Sequence, residues 1–376
     1  MERLYFEDFN ANGYKTSEKA YTYDSQGNVF LNYLIINNMN NKYFLILTIF
    51  MIWSCSNNSE TEKYQYKRDN ITYVKKEIKE IDFKDVFISS FAHLYTTKEY
   101  LLISDYRTID KLIYIFNKNN YNFISNVLDI GQGPGEIANL GFVGTKENDN
   151  IIYVTDNGKQ KIFEYDLDSI QENPLYIPTD KMTLNNTQFP FEYQYMNEAL
   201  SMGVMMEPTG NSGFIHSVAK FNFNTGEIKT MKYIHPKIEK KRVCFAVSIE
   251  HKIYVECYKY NDLMTICDMD GNLICNVYGK KWNNKATNKY GFYNNVVFCH
   301  DKILVSFSDG KDRYSDKESE YPTQFLIFNT KGDYIKTLET EYAIKSFCYD
   351  EDNNRLIMHL DEEIQFAFLE LNGILQ

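Results

Sequence analysis

The 376-residue chain carries 51 acidic against 40 basic residues, a formal charge of −11, and an aromatic share of 16% built from 31 Tyr and 26 Phe. That balance excludes a phosphate-tracking surface, which relies on clustered Lys and Arg, and the densest basic run, Lys237–Arg242, reads as a solvated loop between strands. The 44% hydrophobic content suffices for a packed core, and Tyr and Phe favour pleated, half-buried surfaces, so two average domains or one large all-β domain are the sizes that fit.

Residues 1–38 offer only Ala20–Val29 (AYTYDSQGNV), a single copy of a tyrosine–aspartate pattern. Met39 then opens MNNKYFLILTIFMIWSC, in which Lys42 precedes eleven uncharged residues, Tyr43–Trp53. Eleven apolar residues span too little hydrocarbon for a membrane helix, which needs about 20, but they suit the apolar core of a secretory signal. Cys55 follows almost at once, ahead of polar Ser56–Glu60. This arrangement resembles a bacterial lipoprotein signal, whose cysteine takes a diacylglycerol and becomes the first mature residue. Ile52 and Ser54 stand where that family carries Leu and a small residue, while Trp53 is bulkier than its pattern. The expected organisation is an upstream extension from a misassigned start over 1–38, a signal over 39–55 with lipidation at Cys55, a flexible tether over 56–69, and the folded domain over 70–376. An internal apolar strand or short helix at Tyr43–Trp53 is the alternative.

From Ile71 the text falls into hairpin units, each a β-rich strand closing on a polar turn and a second strand ending on Asn or Asp. The clearest are Tyr100–Asp105 with Lys111–Asn117 and Ile151–Asp156 with Lys161–Asp166. Looser copies are Ala199–Met206 with His216–Asn222, Lys252–Cys257 with Leu263–Asp268, Lys302–Phe307 with Gln324–Asn329, and Arg355–Leu360 with Gln365–Leu369. Turn signals fall where hairpins need them, at Asn224-Thr225-Gly226, Asp270-Gly271-Asn272 and Lys331-Gly332-Asp333. A spacing of roughly 50 residues is that of propeller blades. The six units predict inner strands at Ser89–Thr97, Leu140–Lys146, Phe191–Asn197, Cys244–Glu250, Asn295–His300 and Ile344–Tyr349. The last unit leaves only Asn372–Gln376 for an outer strand, so Ile71–Ile81 is expected to supply it and close the ring. The fold class is therefore all-β, a six-bladed β-propeller closed by an N-terminal strand.

Asp129–Glu136 (DIGQGPGE) followed by the strand–Asp unit IIYVTDNGKQKIFEYD resembles the six-bladed β-propeller lipoproteins of Bacteroidetes, relatives of NHL-type propellers. The resemblance covers residues 70–376. It implies the fold and an anchored, extracytoplasmic location in the periplasm or at the cell surface, without implying an activity.

No nucleophile elbow and no Ser/His/Asp grouping is readable. The Gly131–Glu136 run lacks the Gly-Lys-Ser/Thr ending and following helix of a phosphate loop, and reads as a rigid turn between blades. In a four-stranded blade, the blade-to-blade connections and the loops joining second to third strands open on one face. That face gathers Glu136, Asp105, Arg107 and Asp156, the Tyr260-Asn261-Asp262 turn, and two expected long loops, Glu207–Phe214 and Ser308–Tyr321. Asp309, Asp312, Arg313, Tyr314 and Asp316 of the last loop suit sugar hydroxyls, a peptide or a cation. The expected function is a non-enzymatic, lipid-anchored propeller binding a protein, peptide or carbohydrate through this face, with membrane contact through the anchor and no cofactor. The alternative is a metal-dependent hydrolase or lyase at the central channel, like some six-bladed relatives, for which His93, His300, Glu198 and Glu250 are the available ligands. Six further cysteines lie in strand-like text without a CxxC pair, so buried thiols are expected rather than zinc. A Cys267–Cys275 disulfide across the turn at 268–272 is the minority reading.

Overall fold

The computed structural model describes residues 3–9, 15–23, 29–33 and 60–375, apart from 85, 109–110, 147–148, 174, 185–187, 198, 211–212, 286 and 316–320. The chain divides into two units, 1–57 and 58–376. In the first, β1 (Arg3–Phe9), β2 (Lys15–Tyr23) and β3 (Val29–Tyr33) form an antiparallel meander. The signal segment, Cys55 and the start at Met39 lie outside the described residues.

The second unit is a six-bladed propeller. Three short strands come first: β4 (Glu62–Gln65), β5 (Ile71–Tyr73) and β6 (Lys79–Glu80). Blade one then holds β7 (Ala92–Thr96), β8 (Tyr100–Asp105), β9 (Lys111–Asn117) and β10 (Phe123–Asp129). Blade two holds β11 (Leu140–Thr145), β12 (Ile151–Asp156), β13 (Lys161–Asp166) and β14 (Thr179–Thr183), with the short helix α1 (Leu167–Glu172) between its last two strands. Blade three holds β15 (Phe189–Tyr195), β16 (Leu200–Pro208), β17 (Phe214–Asn222) and β18 (Ile228–Thr230). Blade four holds β19 (Val243–Ser248), β20 (Ile253–Tyr258), β21 (Leu263–Asp268) and β22 (Leu273–Gly279). Blade five holds β23 (Tyr290–Cys299), β24 (Lys302–Asp312), β25 (Gln324–Asn329) and β26 (Tyr334–Glu339). Blade six holds β27 (Ile344–Asp350), β28 (Arg355–Leu360) and β29 (Phe366–Glu370).

Burial explains why the hairpins stand out in the sequence. The second and third strands are covered on both faces by neighbouring blades, so β8, β20, β21 and β28 are nearly continuous runs of buried residues. Strands buried on both faces lose the alternating pattern of a half-solvated strand. The innermost strand faces the channel on one side, and β7 alternates accordingly. Apolar clusters occupy the six interfaces between blades, including Leu101, Phe116, Ile357 and Phe366 where blade six meets blade one. The Asn or Asp that ends the third strand in blades one to five has a local cause. Asn222, Asp268 and Asn329 turn their side-chain oxygens onto backbone N–H groups two to four residues ahead. Gly226, Gly271 and Gly332 then supply the positive φ that completes the turn.

The N-terminal strand closes the ring, with more division of labour than expected. Ile71–Ile81 is not one strand: a 3-10 turn at Lys75–Glu77 breaks it. Only β6 pairs with β29 to complete blade six. β5 runs parallel to β26 as a fifth strand of blade five, and β4 runs parallel to β22 as a fifth strand of blade four. Part of the stretch expected as a tether, 62–65, is thus strand. Between β4 and β5, Arg68 inserts its guanidinium against Asp262 at 2.8 Å and Tyr293 at 3.2 Å, over the rings of Phe307 and Phe328.

The minority reading of a Cys267–Cys275 disulfide is not what the structure has. All six described cysteines are free and buried. A bulge offsets the β21–β22 register so that Cys275 faces Ile266 and Cys267 faces Leu273. Cys267 and Cys275 therefore enter different cores.

Candidate functional site

The inner strands enclose a channel of about 1060 Å³ along the ring axis. We call upper the face where second strands hand over to third strands. Strand registers then place His93, Tyr106, Phe191, Glu192, Lys259 and Asn294 toward the upper mouth. Lys98, Glu250, His300, Tyr349, Glu351 and Asp352 line the lower one.

The upper mouth is rimmed by cations resting on aromatic faces. Arg107 lies over Phe91 at 3.9 Å, Arg242 over Phe214 at 4.3 Å, Arg313 over Tyr260 at 5.3 Å and Lys289 over Tyr290 at 5.4 Å. On blade three, Phe214 stacks on His216, which also meets Phe191. Phe191, Phe214 and Ile215 are exposed, so this blade offers an apolar ledge.

Inside the mouth, desolvation within the channel wall lowers the His93 pKa, and the nearby Lys259 ammonium lowers it further. Desolvation raises the Glu192 carboxyl pKa, opposed by Lys259 and by the Phe245 N–H. His216 is pushed down to about 4 by burial and by Arg242, Lys259 and Lys241. These effects centre on Lys259, in the loop after β20, whose ammonium makes no hydrogen bond or ion pair to the described residues. No sequence motif marks Lys259 or Glu192; only the topology brings β15 and the β20–β21 loop to one mouth.

Several residues chosen from the sequence serve the scaffold instead. Asp105 is buried, accepting from Ser89 N, Ser89 Oγ and Arg107 N at 2.6–3.0 Å. Asp156 is fully buried, accepting from the N–H groups of Ala138, Asn139, Gly158 and Lys159 at 2.9–3.1 Å. Both tie the second-to-third strand loop to the incoming blade connection and so leave the set of binding residues. Glu136 folds back onto Gly133 N at 2.6 Å, while Lys159 Nζ donates to the carbonyls of Gly133 and Glu136, both at 2.7 Å. A Cβ on Gly131 would overlap this carboxylate, so the glycine-rich run is a self-closed turn.

The expected long loops are shorter than the sequence suggested. β16 extends to Pro208 and β17 begins at Phe214, while Ser308–Asp312 continues β24, pairing Asp312 with Tyr290 and Lys311 with Gly291. Asp309 pairs with Lys281 at 3.1 Å and Asp312 with Lys289 at 3.3 Å. Arg313 reaches Tyr260 Oη and Asn288 O, Tyr314 is exposed, and Arg107 is exposed above Phe91. Arg107, Asp309, Asp312, Arg313 and Tyr314 thus lie on the upper face. Asp316 and Glu198 lie outside the described residues.

Among the described residues no three His, Cys, Asp or Glu side chains converge as metal ligands. His93 is at the upper end, whereas Glu250 and His300 are at the lower end, where His300 contacts Tyr349 Oη at 3.0 Å. No described helix is long and apolar enough to cross a membrane.

A family model described as a 6-bladed beta-propeller, DUF5128, matches residues 56–286. No curated protein matches the sequence. Among solved structures, a DUF4221 family member from Bacteroides vulgatus is similar with a TM-score of 0.51 at 11% identity, covering 78% of this chain and 98% of its own. A Bacteroides fragilis protein described as exported is similar with a TM-score of 0.51 at 11% identity, covering 82% of this chain and 98% of its own. These likenesses show the fold.

Proposed function

The chain belongs to the DUF5128 family of six-bladed β-propellers, and we propose that it is an exported, lipid-anchored, NHL-like binding protein that receives its ligand at the upper mouth of its channel. The observation that carries this reading is the mouth itself. A ring of six blades surrounds an open cavity whose rim, among the described residues, presents aromatic faces and cations. Binding sites are concave, with apolar walls and a few placed polar groups, and this mouth has that composition. Export and anchoring rest on the signal-like run before Cys55 and on the exported description of the Bacteroides fragilis neighbour.

Two experiments test the reading. The full chain is probed against arrays of oligosaccharides and peptides, beside Asn294→Trp, which fills the upper channel. Capture is expected to be lost in the variant with melting retained; capture unchanged would put the ligand elsewhere. Separately, Cys55→Ser is expected to release the protein from the membrane fraction, and N-terminal sequencing of the native protein is expected to find a chain processed at Cys55. An unprocessed chain beginning at Met1 would remove the anchor.

A further inference from the structure

On an acidic chain, one end of one cavity keeps cations that have no acidic partner. The carboxylates around the upper rim are largely matched by neighbours: Asp262 with Arg68, Asp309 with Lys281, Asp312 with Lys289 and Asp361 with Lys345. Lys259 is half-buried and makes no ion pair with the described residues. Arg242 spends its guanidinium on the carbonyls of Lys241 and Phe214, at 2.8 Å each, and on the face of Phe214. The two are adjacent, since Lys259 N donates to Arg242 O at 2.8 Å. Among the channel-lining residues of the upper half, Glu192 is the lone carboxylate.

The Lys259 ammonium opens on the channel without an acidic partner among the described residues, and an oxyanion is the group that binds it best, through charge-assisted hydrogen bonds. Beside it stand Phe191 and the Phe214–His216 stack, a flat apolar surface, and the wall continues into blade five at Asn294, whose Nδ2 donates to Lys345 O at 3.2 Å. We propose that the upper channel binds a ring-shaped, oxyanion-bearing ligand, of which an acidic sugar unit is the fitting chemistry. Its anionic group docks at Lys259 and Arg242, and its C–H face lies on the blade-three ledge. Glu192 then competes with the ligand for Lys259 and sets a limit on affinity. This inference rests on the channel-binding reading above and names the ligand class for that site.

The test is calorimetric titration of the full chain at neutral pH and low salt with galacturonic acid, galactose and galactose 6-phosphate. The charged sugars are expected to bind and galactose to bind at least about tenfold more weakly; which charged sugar binds tells carboxylate from phosphate. Lys259→Gln is expected to weaken binding about ten- to hundredfold, and Glu192→Gln to strengthen it several-fold. Lys98→Gln, at the lower mouth, is expected to change nothing. Opposite signs at positions 259 and 192 cannot both arise from misfolding. Galactose binding as well as its acidic counterparts, full affinity in Lys259→Gln, or no heat from any of the three sugars would each overturn the proposal. Capture of neutral sugars or peptides at the same mouth would overturn it while leaving the channel-binding function standing.

Discussion

Blades one and two secure their upper loops with aspartates from their own second strands, whereas blades four and five are secured by an arginine that arrives from outside the ring. Asp105 and Asp156 gather backbone N–H groups from residues just ahead of them and from the preceding blade connection. Asp262, in the corresponding loop of blade four, is held by Arg68, 194 positions earlier, with Tyr293 of blade five completing the cluster. The first device is local and self-sufficient. The second makes two blades depend on a segment far from them in sequence. One side of the ring therefore fastens its upper loops locally and the other through a segment distant in sequence.

That contrast breaks most decisively at Arg68. Arg68→Met leaves a buried carboxylate at Asp262, whose side chain is 2% exposed, and is expected to cost about 3–5 kcal/mol by denaturant unfolding. A loss below 1 kcal/mol would mean that the stitch is ornamental. Asp156→Ala strands four buried or half-buried N–H donors and is expected to cost about 2–3 kcal/mol. Hydrogen exchange should then rise in blade two while blades four and five stay protected; uniform loss of protection would deny that this fastening acts locally.

Blade three has neither device, and its buried His216 offers a pH readout. Its folded pKa of about 4 lies below the ordinary 6.5. The unfolded chain therefore takes up a proton first as pH falls, so the stability His216 permits is complete above about pH 6.5 and is lost toward pH 4. Between pH 7 and 5 the parent is expected to lose about 2 kcal/mol more than His216→Phe; parallel pH curves would contradict this. The smallest effect is at the Lys63–Asp333 pair, partly exposed on both sides, where Lys63→Ala is expected to cost less than about 1 kcal/mol.

The same contrast sets what the sequence reveals. The strand–Asp–turn units of blades one and two are legible because cause and effect lie within about twenty residues. The doubly buried second and third strands are legible because burial on two faces writes continuous apolar runs. The need for a closing strand was also readable, from the missing outer strand of blade six. Its division among three blades was not, because β4 and β5 carry no pattern of their own: each is three or four residues long. The aspartates at 105 and 156 were misjudged for a related reason. A charged residue at a strand end looks solvated in one dimension, and only the incoming blade connection shows that its oxygens are spoken for. Lys259 and Glu192 were invisible because a site assembled from separate blades leaves no spacing to detect. Arg107, Arg313 and Tyr314 lie on the upper face because loop topology follows directly from strand count.

The three N-terminal strands share one further property. β4 is parallel to β22 and β5 to β26, while β6 is antiparallel to β29, so all three climb from the lower face toward the upper. The polypeptide thus joins the ring near Glu62 at its lower edge, on the side away from Lys259 and the aromatic ledge. The chain's entry into the ring and the upper mouth therefore lie on opposite faces, so the strands that close the propeller do not crowd the channel end where Lys259 stands.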